Sequence, residues 1–121
     1  MDSLGQHTLI ELQGCNTAVN DADVFREVLT EAAEAARVTL LQMIVHEFNP
    51  QGVTGLAVLA ESHLALHSWP EHCYLAADIF TCGTAARPER IVPVLKRHFQ
   101  PETVTVRTLP RGRAGFTSAS R

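Results

Sequence analysis

Nowhere in the 121 residues does an apolar run approach the roughly 20 that a bilayer-spanning helix requires, so no membrane segment is expected. The N-terminal MDSLGQHTLIELQG has no basic stretch leading into an apolar one and is not read as a signal peptide. Cysteine is scarce: Cys15, Cys73 and Cys82 are odd in number and form no CxxC pair. That disfavours a disulfide framework and fits a reducing cytoplasm. A dense Lys/Arg stripe is missing too, and the net charge is −3, which makes nucleic acid a poor partner. The nearest approach to a basic patch, Arg107, Arg111 and Arg113, is read as a solvated tail. Neither GxSxG nor SxxK occurs, so serine-hydrolase readings lack their local context.

What is present is the composition of one globular domain, 45% hydrophobic and 19% charged, long enough to bury a core. Residues 7–13 alternate as a first strand closed by Gly14. Asn20-Asp21-Ala22-Asp23 supplies a cap and first-turn acids, and apolar residues at helical spacing predict a helix over 21–37. Residues 38–48 read as a buried strand, 49–52 as a turn, and 53–60, 63–69 and 74–81 as further strands. A second helix is expected over 87–98, with Pro88 in its first turn and Pro93 disturbing its interior. The alternating 102–109 closes the domain. The order β-α-β-β-β-β-α-β predicts an α/β (α+β) two-layer sandwich: an antiparallel sheet covered on one face by two helices. The uncovered face calls for a partner, and a homodimer is expected.

Polar chemistry concentrates in Glu61–Gly83, ESHLALHSWPEHCYLAADIFTCG. Even spacing puts His63 and His67 on one side of a strand, with Glu71, His72, Cys73 or Cys82 as imaginable co-ligands. That spacing matches no standard closed zinc site, so no metal is expected. Trp69-Pro70 shapes a turn, and Asp78, in an otherwise apolar strand, needs a partner if buried. Taken singly, Ser62 reads as an ordinary serine and the cysteines as small hydrophobes.

Together, ESH at 61–63, HSWPE at 67–71 and DIFTCG at 78–83 resemble the prokaryotic S-adenosylmethionine decarboxylases that make their own pyruvoyl cofactor. SLGQH at 3–7, FNPQGVTG at 48–55 and Arg111-Gly112 extend the resemblance over about residues 3 to 113. It implies that Ser62 attacks the carbonyl of Glu61, converting the amide to an ester by an N-to-O acyl shift. Elimination of the ester then leaves dehydroalanine, which tautomerises and hydrolyses with loss of ammonia to a pyruvoyl group derived from Ser62, on an α chain of 62–121 beside a β chain of 1–61. By resemblance His67 is the processing base, Thr54 a hydroxyl assisting it, and Cys82 the proton donor during turnover. The pyruvoyl ketone would form a Schiff base with the substrate amine and accept electrons as CO₂ leaves. Phe48 matches an aromatic that stacks on adenine, and Glu71 a carboxylate proposed to bind the ribose.

Strict alternation places Ser62 and His67 on opposite strand faces, so a bulge, or a serine lying in the turn, is required. Ser68 for the usual threonine, His72-Cys73 for an aromatic-glycine pair, and Leu12-Gln13 for aromatics are departures from the family pattern. The expected function is S-adenosylmethionine decarboxylation supplying aminopropyl groups for spermidine and other polyamines. Two alternatives stand beside it: a pyruvoyl decarboxylase of a basic amino acid such as ornithine or arginine, and a non-cleaving regulatory homologue.

Overall fold

The computed structural model describes residues 3–116 and Ser118. Six strands form one sheet: β1 Gly5–Gln13, β2 Leu40–Glu47, β3 Val53–Leu59, β4 Ser62–Trp69, β5 Tyr74–Thr81 and β6 Thr103–Arg111. Their order is β2-β3-β4-β5-β1-β6, and every neighbouring pair is antiparallel. Helices α1 (Ala22–Ala35) and α2 (Ile91–Phe99) cover one face, which is the expected two-layer sandwich.

Asp21 caps α1, its carboxylate accepting from the Asp23 and Val24 amides. The residues facing the sheet from α1, Phe25, Val28, Leu29 and Ala32, are fully buried and share one core cluster with Leu64, Leu66, Leu75 and Ile79. Phe25 meets Phe99 edge-on at 5.6 Å where the helices touch. Gly55 lets α1 approach β3: a Cβ there would lie 3.2 Å from both Leu29 and Phe25. Outside the core, Glu31 of α1 binds His98 Nε2 at 2.8 Å and also Arg97 of α2. The His98 hydrogen bond is the largest cause holding the Glu31 carboxyl below its ordinary range.

Four expectations are corrected. Residues 38–48 are not a buried strand: β2 is a sheet edge, with Leu41 63% and Ile44 52% exposed. Its apolar composition reflects one face under α1 and another that is open. The helix expected over 87–98 divides into a 3₁₀ turn at Pro88–Arg90 and α2 proper. Pro93 is therefore the third residue of α2, where an amide has no intrahelical acceptor to lose, and it disturbs nothing. A 3₁₀ turn at Thr17–Asn20, capped by Asn16, precedes α1 unannounced. Finally, the last strand runs on to Arg111, so this arginine belongs to the sheet and not to a tail.

Candidate active site

The antiparallel registers align the open-face side chains in rows across the strands. One row holds Val58, His63, Phe80, His7 and Leu109; the next holds Ile44, Leu56, Ala65, Asp78, Leu9 and Arg107. A third holds His46, Thr54, His67, Ala76, Glu11 and Thr105. Histidines lie in the first and third rows, separated on β2 to β4 by Ile44, Leu56 and Ala65, while Asp78 of the middle row reaches His7 and His63 of the first.

At the first end, Ser62 opens β4 directly after the two-residue Ala60–Glu61 turn, paired with Leu59. The turn is pinned at both of its residues: the Ala60 amide donates to Thr39 O at 2.9 Å, and Glu61 Oε1 accepts from the Thr39 amide at 3.1 Å. Ser62 has a φ of +155°, in a region that L residues avoid and that costs roughly 1–3 kcal/mol. Neither route allowed by alternation is taken. Pairing of β3 with β4 runs without a bulge, and Ser62 lies in the strand. The positive φ instead brings its Oγ to 3.3 Å from Nδ1 of His63, a side chain of the open face.

His63 Nε2 lies 3.3 Å from Asp78 Oδ2, and His7 Nε2 lies 2.8 Å from the same oxygen. Arg111 Nη1 donates to His7 Nδ1 at 2.9 Å, and its guanidinium sits 5.7 Å over the Phe80 ring. Asp78 thus finds the partners its apolar strand demanded. His7, His63 and Asp78 offer three ligand-type atoms within 4.8 Å. The sequence did not assemble this trio, because β1 and β5 become neighbours only through the fold. Cys82 is exposed just beyond the end of β5, two residues after Phe80.

At the other end, Thr54 Oγ1 hydrogen-bonds His67 Nδ1. Trp69 packs edge-on against the His67 ring at 4.2 Å, and Phe48 lies 6.3 Å from it. Phe48, His67, Trp69 and Glu71 share a shallow cavity of about 270 Å³ with Gln51, Gly52 and Ser68. A larger cavity of about 720 Å³, between the Thr17–Asn20 turn and the Pro70–Cys73 turn, contains none of the residues expected to act. Beside the His67 group, Tyr74 donates to Glu11; burial first, then that carboxylate, push its phenol up to about 12. Burial likewise pushes the Cys15 thiol up to about 11.

The two ends hold different members of the expected set. Ser62, Glu61 and Cys82 fall at one, and Thr54, His67, Phe48 and Glu71 at the other. Five residues of extended strand separate Ser62 from His67, about 16 Å at the usual rise.

A family model for S-adenosylmethionine decarboxylase matches residues 6–112. The chain belongs to this family. It is 42% identical over 113 residues, 93% of each chain, to the S-adenosylmethionine decarboxylase proenzyme of Methanococcus maripaludis strain C5. Identity to the proenzyme of the same name from Prochlorococcus marinus strain MIT 9313 is 44%, covering 89% of this chain and 87% of that one. The crystal structure of the adenosylmethionine decarboxylase from Aquifex aeolicus VF5 superposes with a TM-score of 0.86 over 98% of both chains, at 29% identity.

Proposed function

We propose that this chain is the proenzyme of an S-adenosylmethionine decarboxylase and cleaves itself between Glu61 and Ser62. The observation that carries the reading is the backbone of Ser62, held at a φ of +155° behind a pinned two-residue turn. The Cβ of an L residue stands about 120° around N–Cα from its carbonyl carbon. Ser62 Cβ is therefore only about 35° from eclipsing the Glu61 carbonyl carbon, given that φ. Such a torsion suits the five-membered ring through which Oγ attacks that carbon. A serine in ordinary extended backbone has its Cβ turned far from it. The precursor thus fits formation of the pyruvoyl group, which when formed supplies an electron-accepting carbonyl for loss of CO₂.

The chain's own residues do the rest. After the acyl shift, His67 with Thr54 removes the Ser62 α-proton, and Glu61 leaves as a carboxylate. During turnover Cys82 returns a proton to the substrate carbon. Phe48 stacks on the adenine and Glu71 takes the ribose hydroxyls. His67 lies too far along β4 to reach Ser62 of its own chain, so a second copy covers the open face and brings its own His67 to Ser62. Exposed Ile44, Leu56 and Val58 give that face an apolar strip to bury. The relatives' names favour S-adenosylmethionine over ornithine or arginine as substrate, and with it a role in spermidine synthesis. Three free thiols suit a cytoplasmic site of action. No helix among the described residues is long and apolar enough to cross a membrane.

Intact-mass measurement on the purified protein tests this. Two fragments are expected, residues 1–61 and a pyruvoyl-capped 62–121, with release of labelled CO₂ from S-adenosylmethionine. Ser62→Ala should stay whole; Cys82→Ala should cleave but release little CO₂. A single 13.2 kDa species after long incubation would sink the proposal.

A further inference from the structure

We propose that His63, oriented by Asp78, is the base for the first step of self-cleavage, and that His67 has no part in that step. This rests on the reading that the Glu61–Ser62 bond breaks, and adds to it a residue and a division of labour. Donor and acceptor roles follow from the network. Arginine only donates, so Arg111 Nη1, 2.9 Å from His7 Nδ1, makes that nitrogen an acceptor. Neutral His7 then carries its proton on Nε2 and donates it to Asp78 Oδ2 at 2.8 Å. Ionised Asp78 only accepts, so His63 Nε2, 3.3 Å away, donates as well. His63 Nδ1 is thereby left with a lone pair, and it faces Ser62 Oγ at 3.3 Å.

This is the arrangement an activated nucleophile needs: hydroxyl, imidazole, and a carboxylate holding the imidazole in the right tautomer. The distances are loose, as they commonly are before a reacting group closes in. The step balances without any outside reagent. His63 Nδ1 takes the Oγ proton as Oγ bonds to the Glu61 carbonyl carbon. When the carbon–nitrogen bond then breaks, the imidazolium returns that proton to the Ser62 nitrogen, leaving an ester and a free amine. The α-proton that must leave afterwards is a separate demand, met by a different base. Asp78, His7 and Arg111 are positioning residues; they touch none of the reacting atoms.

The same assignment bears on the trio of His7, His63 and Asp78 as a set of metal-ligand types. With His7 Nε2 and His63 Nε2 both donating to Asp78, two of the three ligand-type atoms carry protons in place of lone pairs.

Hydroxylamine, which cuts esters but not ordinary amides, separates the two steps. In His67→Ala the ester should accumulate, and hydroxylamine should split the chain after Glu61. His63→Ala should give no fragments with or without hydroxylamine, slowed at least about 100-fold, and added imidazole should restore cleavage. Asp78→Asn should cleave more slowly than wild type, with Asp78→Glu recovering part of the loss. Circular dichroism reports folding, and should His63→Ala fail to fold, His63→Gln, which keeps an amide donor towards Asp78, decides. His63→Ala or His63→Gln cleaving at the native rate, or accumulating the hydroxylamine-sensitive ester, overturns the inference. Wild type remaining whole overturns the reading beneath it.

Discussion

Mixing two inactive variants should restore cleavage, and in a fixed proportion. On β4, Ser62 and His67 are about 16 Å apart along the strand, whereas proton transfer needs heavy atoms about 3 Å apart. Within one chain no rotamer closes that gap. In the two-fold dimer proposed above, each site would take Ser62 from one copy and His67 from the other. Ser62→Ala and His67→Ala are then each blocked as homodimers. When they are co-expressed in equal amounts, about half of the dimers are mixed. Every mixed dimer contains one site with both residues intact and one with neither. About half of the His67→Ala chains should therefore be cut, and none of the Ser62→Ala chains. Distinguishable tags and intact-mass measurement read both fractions directly. Mixed dimers isolated by tandem affinity that contain no cut chain would refute the shared site. His67→Ala cleaving fully on its own would refute His67 as the base.

The remaining expectations concern packing and titration. Gly55→Ala forces a Cβ to 3.2 Å from Leu29 and Phe25, and should lower unfolding stability by about 1–3 kcal/mol in urea titration. With a thiol reagent at mildly alkaline pH, exposed Cys73 and Cys82 should label quickly, while buried Cys15, its thiol pushed up to about 11, should label only as the chain unfolds. Tyr74 is the sole tyrosine, so phenolate absorbance isolates it, and its midpoint should lie near 12. The folded value is above the unfolded one of about 10, so its contribution to stability is complete below that pH and lost as pH climbs through about 12. Glu11→Gln should bring the midpoint down by removing the carboxylate that accepts from the phenol, while the burial contribution remains.

Periodicity exposed most of the architecture because its signals are local. The Asp21 cap, the apolar stripe of α1 and the alternation of β4, β5 and β6 each need only neighbours in sequence to be seen. Pairing is not local, and it is pairing that builds the site. His7 and Asp78 are 71 residues apart and share a hydrogen bond; Ser62 and His67 are five apart and cannot meet within one chain. The strand order that sets β1 between β5 and β6 turns Arg111 from an expected tail residue into the group that fixes the His7 tautomer. Asp78 was readable as a group in want of a partner, but not which partner. Spacing along β4 also concealed the role proposed for the nearer histidine. His63 and His67 lie on the same face, so alternation treats them alike, and only the φ of Ser62 distinguishes them by directing Oγ to the first. The two histidines then answer different needs. As proposed, one stands beside the hydroxyl that would lose its proton before the backbone is cut, and the other, beyond the reach of its own chain, would take the α-proton of another.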